Sequence, residues 1–229
     1  MRRTKEEAEN TRTAILTAAE LLFLKKGVSH TSLEQIARQA GVTRGAVYWH
    51  FQNKAHLFHE MLNQVRLPAE QIAERISQCD PNNPIVALRH LCAEVLVNVG
   101  RDERKRRIFT ILLRRCEFTE DLREAEQRHE AFINEFIALC EQLFSEPATA
   151  KRLHPQITPK MAAAALHAMI LGLLSDWLRD STLFDIQQAG AMLDALLRGI
   201  ITDWEPGNDS NEPHHTTPAV NSGLSDQPI

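Results

Sequence analysis

Apolar residues recur every three or four positions along most of the chain, the spacing that lines them up on one face of an α-helix. Thr4-Lys5-Glu6-Glu7 fits a capping box, in which a hydroxyl and a carboxylate satisfy the free N–H groups at a helix start. Ile15, Ala18, Ala19, Leu22 and Phe23 then follow at helical spacing, Lys25 and Lys26 suit the negative C-terminal end, and Gly27 supplies a left-handed stop. Thr31-Ser32-Leu33-Glu34 reads as a second capping box, opening a short helix with the stripe Leu33, Ile36, Ala37 and Ala40 and a stop at Gly41. Thr43 caps a third helix with Val47 and Phe51 inward. Asn53 caps a long helix from Lys54, in which Pro68, without an N–H, predicts a kink or break.

Asp80-Pro81-Asn82-Asn83-Pro84 is a turn, with Pro84 suited to the first position of the next helix. Helical spacing resumes over 85–100 and 102–115, then from a cap at Thr119, over 160–180 and over 185–204. Alternating β-branched runs are absent, so the fold class is all-α. The expected organisation is a helix-turn-helix domain over 1–53 (the motif itself about 32–51) and a helical regulatory and dimerisation domain over 54–204. Residues 205–229 hold four of the ten prolines and few bulky apolar groups, a composition that predicts a disordered tail.

Charge sharpens this division. The chain of 229 residues has a net charge of −4, but residues 1–66 hold 10 Lys+Arg against 6 Asp+Glu. A basic head on an acidic body points to a polyanion partner for the head alone. No uncharged apolar run approaches the roughly 18 residues of a membrane span, and the start lacks the apolar stretch of a signal peptide. Cys79, Cys92, Cys116 and Cys140 form no Cys-x-x-Cys, so the expectation is a cytoplasmic chain with reduced thiols and no metal site. His56 and His59 lack a third ligand nearby, and His214-His215 reads as part of an inert tail. With no Gly-rich phosphate loop, Gly-x-Ser-x-Gly or His-Glu-x-x-His, the sequence supports neither an enzyme nor a cofactor.

Helix, Gly turn, short helix is the helix-turn-helix arrangement. Its outward face presents Thr43, Arg44, Gly45, Tyr48, Trp49 and His50, which include donors and flat groups but no acid. A helix so exposed fits a major groove about 12 Å wide. Thr31, Ser32 and Lys54 lie at helix starts, where backbone N–H groups favour phosphate. The same three helices with Tyr48 and Trp49 packed inward would be a plain core, and the residues alone leave both readings open.

The segment from Ile36 to Lys54, ending Tyr48-Trp49-His50-Phe51-Gln52-Asn53-Lys54, resembles the DNA-binding signature of TetR-type transcriptional repressors. The opening Arg2-Arg3-Thr4-Lys5-Glu6-Glu7-Ala8 and the stretch Cys116-Glu117-Phe118-Thr119 are similar to the AcrR/TtgR/SmeT group, which controls multidrug efflux operons. The resemblance implies phosphate contacts by Thr31, Ser32, Thr43, Tyr48, His50 and Lys54. It places Arg44 and Gly45 at base edges with Trp49 beside them, and lets Arg2, Arg3 and Lys5 reach the backbone from an arm.

It also implies a homodimer through the last two long helices, rich in small residues from Ala162 to Gly199, on palindromic operator DNA. A hydrophobic small-molecule inducer would sit among Cys92, Val95, Leu96, Phe109, Leu112, Leu113, Phe136, His167, Ile170, Leu171 and Leu174. Taken singly, each of these reads first as ordinary core. Two alternatives stand beside the repressor: a helical ligand-binding or adaptor protein without DNA readout, and an activator of the same fold.

Overall fold

A computed structural model describes residues 4–79 and 83–206. The Arg2-Arg3 arm, the turn at Asp80-Pro81-Asn82 and the tail from 207 onward lie outside the described residues. Eleven α-helices follow one another among the described residues, and the extended pairing there is one antiparallel bridge, Leu153 with Ile201.

The first three helices are α1 (Lys5–Lys26), α2 (Leu33–Gln39) and α3 (Arg44–His50). Thr4 and Glu7 form the expected capping box, and the stops at Gly27 (φ +87) and Gly41 (φ +68) use the positive φ that only glycine adopts cheaply. The cap of α2 is Ser32, not Thr31. Ser32 Oγ accepts from the Gln35 N–H while Gln35 reaches back to the Ser32 N–H. Thr31 is buried, and its hydroxyl donates to the Gly27 carbonyl at 2.8 Å, so it closes the preceding loop instead.

Asn53 caps α4 (Lys54–Asn63), accepting from the His56 N–H at 2.7 Å. The long helix expected here is in fact two. A proline disfavours helical backbone at the residue before it, and α4 ends five residues short of Pro68. The Pro68 carbonyl then accepts from the Ile72 N–H, so this proline starts α5 (Ala69–Cys79) rather than bending α4.

The rest of the body is α6 (Pro84–Arg101), α7 (Glu103–Arg114), α8 (Arg123–Ser145), the single turn α9 (Pro147–Ala150), α10 (Pro159–Arg179) and α11 (Ala189–Ile200). Thr119 precedes a 3-10 turn, Glu120–Leu122, that leads into α8, and Ile186–Gln188 forms a similar turn before α11.

Two cores result. The body core joins α5, α6, α8, α10 and α11 around Leu88, Leu96, Phe144, Leu166 and Leu193. The head core gathers Ile15, Phe23, Ile36, Val47, Phe51 and Phe58, but also Ile108, Ile111 and Leu112 of α7 with Leu122 and Ala125. Packing therefore runs across the boundary expected after residue 53. Phe109 and Leu113 touch both cores. Polar links follow the same seam: the Val28 N–H donates to the Arg115 carbonyl at 3.0 Å, and buried Glu20 of α1 accepts from Arg104 of α7 at 2.7 and 2.9 Å.

Within the body, Arg89 of α6 forms a buried, two-pronged ion pair with Asp194 of α11 at 2.6 and 2.9 Å, completed by the Trp204 indole N–H. Burying charge is tolerable only when its hydrogen bonds are made, and this pair makes them. A Cβ at Gly190 would lie 2.6 Å from the Arg89 guanidinium, so glycine is what lets the arginine in.

By length and composition α10 is apolar enough to cross a membrane, with a mean hydropathy of 1.5 over 18 residues, although its uncharged run, between Lys160 and Asp176, is shorter than that. Its apolar surface has two uses in the fold. One face packs in the body core through Ala162, Leu166 and Leu174, and the other carries Met161, Ala164, Ala168, Leu171 and Gly172 to the outside.

Candidate nucleic-acid interface

The recognition face is built from caps and two anchors. Thr43 Oγ1 accepts from the Ala46 N–H, fixing where α3 begins. Val47 and Phe51 are fully buried, so the pitch of the helix turns Arg44, Gly45, Tyr48 and Trp49 outward. Trp49 is 73% exposed and Tyr48 46%, which removes the reading in which they form a core. His50 is half-buried, its ring edge-on to Trp49.

Arg44 and Tyr48 stand one turn apart and act as a unit. The guanidinium lies 5.4 Å from the Tyr48 ring centre and donates to the hydroxyl at 3.3 Å, which pushes the arginine pKa up. A Cβ at Gly45 would meet only Thr43 Oγ1, at 3.9 Å, so the chain itself does not require glycine there.

Beside this face is an open cleft of about 470 Å³ lined by residues 29–35, Arg44, Tyr48, Lys54 and Asp121. It brings together Ser32, Arg44, Tyr48 and Lys54, which the sequence had singled out, and adds Glu34 and Asp121. Ser32 is exposed with its N–H at the start of α2. The Thr31 hydroxyl faces inward, so the expectation of a phosphate contact through that side chain is replaced by a structural role. Lys54 is mostly buried, its Nζ 2.8 Å from Asp121 Oδ2 and 3.3 Å from the Ser29 carbonyl. Asp121 is held below the usual carboxylate range by the hydrogen bond from Lys54 and by that from Thr119.

The candidate ligand residues do not all share one environment. Cys92, Leu96 and Leu174 are buried in the body core, with Phe136 and Ile170 partly buried against it; Val95 is half-buried on α6. Phe109 and Leu113 straddle the two cores, and Leu112 belongs to the head core. His167 is half-buried, its ring 6.3 Å from Phe136, and burial pushes its pKa down. Leu171 is 41% exposed on the outer stripe of α10, so it is removed from the expected wall. Burial also raises the Cys116 and Cys140 thiols to about 12 and the Cys92 thiol further, which keeps all three protonated.

One cluster escaped the sequence. Arg66, half-buried and lowered to about 10 by desolvation, donates to His129 Nδ1 and lies 4.7 Å from the Phe132 ring centre. Desolvation first, and the Arg66 charge second, push His129 down to about 4, and Phe118 stacks against its ring. His129 lies in a charged stretch, Glu126-Gln127-Arg128-His129-Glu130, that has the composition of a solvated face.

A helix-turn-helix with an exposed, donor-rich second helix, fixed to a larger helical body, defines a DNA-binding regulator. Residues 15–61 match the model of bacterial regulatory proteins of the tetR family, and residues 83–203 match the C-terminal region of MAATS-type transcriptional repressors. The chain belongs to the TetR family of transcriptional repressors. It is 37% identical to the transcriptional repressor BepR of Brucella suis over 81% of this chain and 89% of that one. The crystal structure of NalD, secondary repressor of the MexAB-OprM multidrug efflux pump in Pseudomonas aeruginosa, is 61% identical with a TM-score of 0.83, covering 87% of this chain and all of that one. A SmeT–triclosan complex is 33% identical with a TM-score of 0.75, covering 86% and 96%. Members of this family bind operator DNA as dimers and respond to small molecules; they are regulators, not enzymes.

Proposed function

We propose that this chain represses a multidrug efflux operon in the cytoplasm, as a homodimer on a palindromic operator that hydrophobic compounds release. The observation that carries the reading is the exposed face of α3, where Arg44 and Tyr48 are already paired and Gly45 leaves room for a base edge. In this reading Arg44 and Gly45 meet bases, with Trp49 beside them, while Ser32, Thr43, Tyr48, His50 and Lys54 hold phosphates. NalD and SmeT, as named efflux repressors, support the choice of operon.

The dimer is proposed through α10 and α11. Ala164, Ala168, Leu171 and Gly172 on α10, and Ala191, Ala195 and Gly199 on α11, are exposed and small or apolar. A Cβ at Gly172 or Gly199 would meet nothing within 4 Å, so the single chain leaves open space where a second could approach. The inducer is proposed to lie among Cys92, Val95, Leu96, Phe109, Leu113, Phe136, His167, Ile170 and Leu174, with triclosan, the compound in the SmeT complex, as first probe.

The test is sequencing of the DNA that the purified protein retains from its own genome, followed by binding of Arg44→Ala to the recovered site. The variant should lose roughly 1–3 kcal/mol of discrimination per half-site while keeping its affinity for random DNA. An equal loss on both DNAs would remove Arg44 from the base-reading role. Retention of no discrete site would favour the adaptor alternative.

A further inference from the structure

Asp121 carries a carboxylate from the body into the cleft of the head. It sits on the turn that leads into α8, and the Thr119 hydroxyl donates to its Oδ1. Its other oxygen is 2.8 Å from Lys54 Nζ, whose side chain is only 13% exposed. The neighbouring acid, Glu120, makes an ordinary surface pair with Arg123 three residues on, so of the two acids on this turn it is Asp121 that reaches Lys54. Around it the cleft offers Ser32, Arg44 and Tyr48, groups suited to an anion.

We infer that Asp121 is an internal phosphate mimic: it holds Lys54 in the DNA-free protein, and operator binding must break that pair. The inference rests on the reading of Lys54 as a phosphate contact. A backbone phosphate arriving in the cleft competes with the carboxylate for the ammonium group and meets its like charge. Because the turn continues into α8, which carries Phe136 opposite His167, displacement of α8 changes how firmly the carboxylate grips Lys54. The contact thus lowers operator affinity by design and gives the body a direct handle on one DNA-binding side chain.

The experiment measures operator binding by fluorescence anisotropy across a salt series for the wild type, Asp121→Asn, Lys54→Ala and the double variant, with thermal melts to establish folding. Asparagine keeps an acceptor for Thr119 but removes the charge. Asp121→Asn should bind about 2- to 30-fold tighter, the square of what one partly exposed ion pair is worth, since a dimer has two. The salt slope should steepen, by up to about 0.9 for each lysine freed. The gain should vanish in the Lys54→Ala background.

Unchanged or weaker binding by Asp121→Asn, with Lys54→Ala still flattening the slope, overturns the inference and leaves the phosphate reading intact. A Lys54→Ala slope equal to the wild type overturns that reading, and the inference with it. A gain that persists without Lys54 also overturns it, because the carboxylate would then act through its field alone.

Discussion

His129 shows how one side chain can record its surroundings as a pH dependence. An unfolded histidine titrates near 6.5, whereas desolvation and the Arg66 charge hold His129 at about 4. Between these values the unfolded chain binds a proton that the folded chain does not. Its contribution is therefore fully present above about pH 6.5 and is lost as pH falls towards 4. Desolvated His59 and His167 shift in the same direction. The melting temperature should fall between pH 7 and pH 5, and His129→Gln, which keeps an acceptor for Arg66, should fall less. Identical falls in scanning fluorimetry would deny His129 this role. At this scale the sequence was legible where a residue's job is local. The caps at Thr4, Thr43 and Asn53 depend only on the next three positions. Thr31, Arg66 and Asp121 depend on partners 4, 63 and 67 positions away, and of these only the Thr31–Gly27 contact lay within the reach of a spacing argument.

Among the elements, α10 has the most to reveal. One face packs in the body core, while Leu171 and Gly172 sit on the exposed face, where a Cβ at Gly172 meets nothing within 4 Å among the described residues. Leu171→Asp should leave the helical content intact, because the site is already wet, yet shift the protein to monomer and abolish high-affinity operator binding. Gly199→Arg on α11 should do the same. Light scattering that shows an unchanged dimer for both variants would move the interface elsewhere. Helix positions could be read from periodicity because a 3.6-residue repeat is visible without knowing its partner. The length of α4 could not. Pro68 announces a disruption, but whether the chain bends through it or stops and restarts depends on what Val65 and Leu67 pack against, and both turn towards the cores. Leu171 was misplaced for a similar reason: buried and exposed leucines on one helix look alike in sequence.

For the whole molecule, the route proposed from ligand to DNA runs through the elements that the two cores share. With α4 ending at Asn63, α7 is one shared element, with Ile108 and Ile111 in the head core and Phe109 and Leu113 reaching both cores, and α8 is another, with Ala125 in the head core and Phe144 in the body core. A ligand releases DNA only in so far as it prefers the DNA-incompetent arrangement. A coupling of about 1–3 kcal/mol weakens operator binding 5- to 150-fold, and operator must weaken the ligand by the same factor. Calorimetric titration of triclosan with and without operator checks this equality; a releasing compound with equal affinity in both titrations would refute it. Phe109→Ala should reduce the coupling more than the ligand affinity, since Phe109 is placed between the cores.

That placement also bears on how far such a protein is modular. Cutting the chain after residue 53 would strip α1 of the α4 and α7 helices that pack against it, and would leave Glu20 without Arg104. The head is contiguous in sequence for its first sixty-odd residues, but its remaining walls, α7 and the turn into α8, arrive only from Ile108 onward, on the far side of α5 and α6. A chimera that joins this head to another sensor would have to import α7 along with it, or redesign the surface where α7 sits. Under the proposed reading of α3, operator specificity is exchanged by altering that helix, whereas the body cannot be exchanged without reopening the interior of the head.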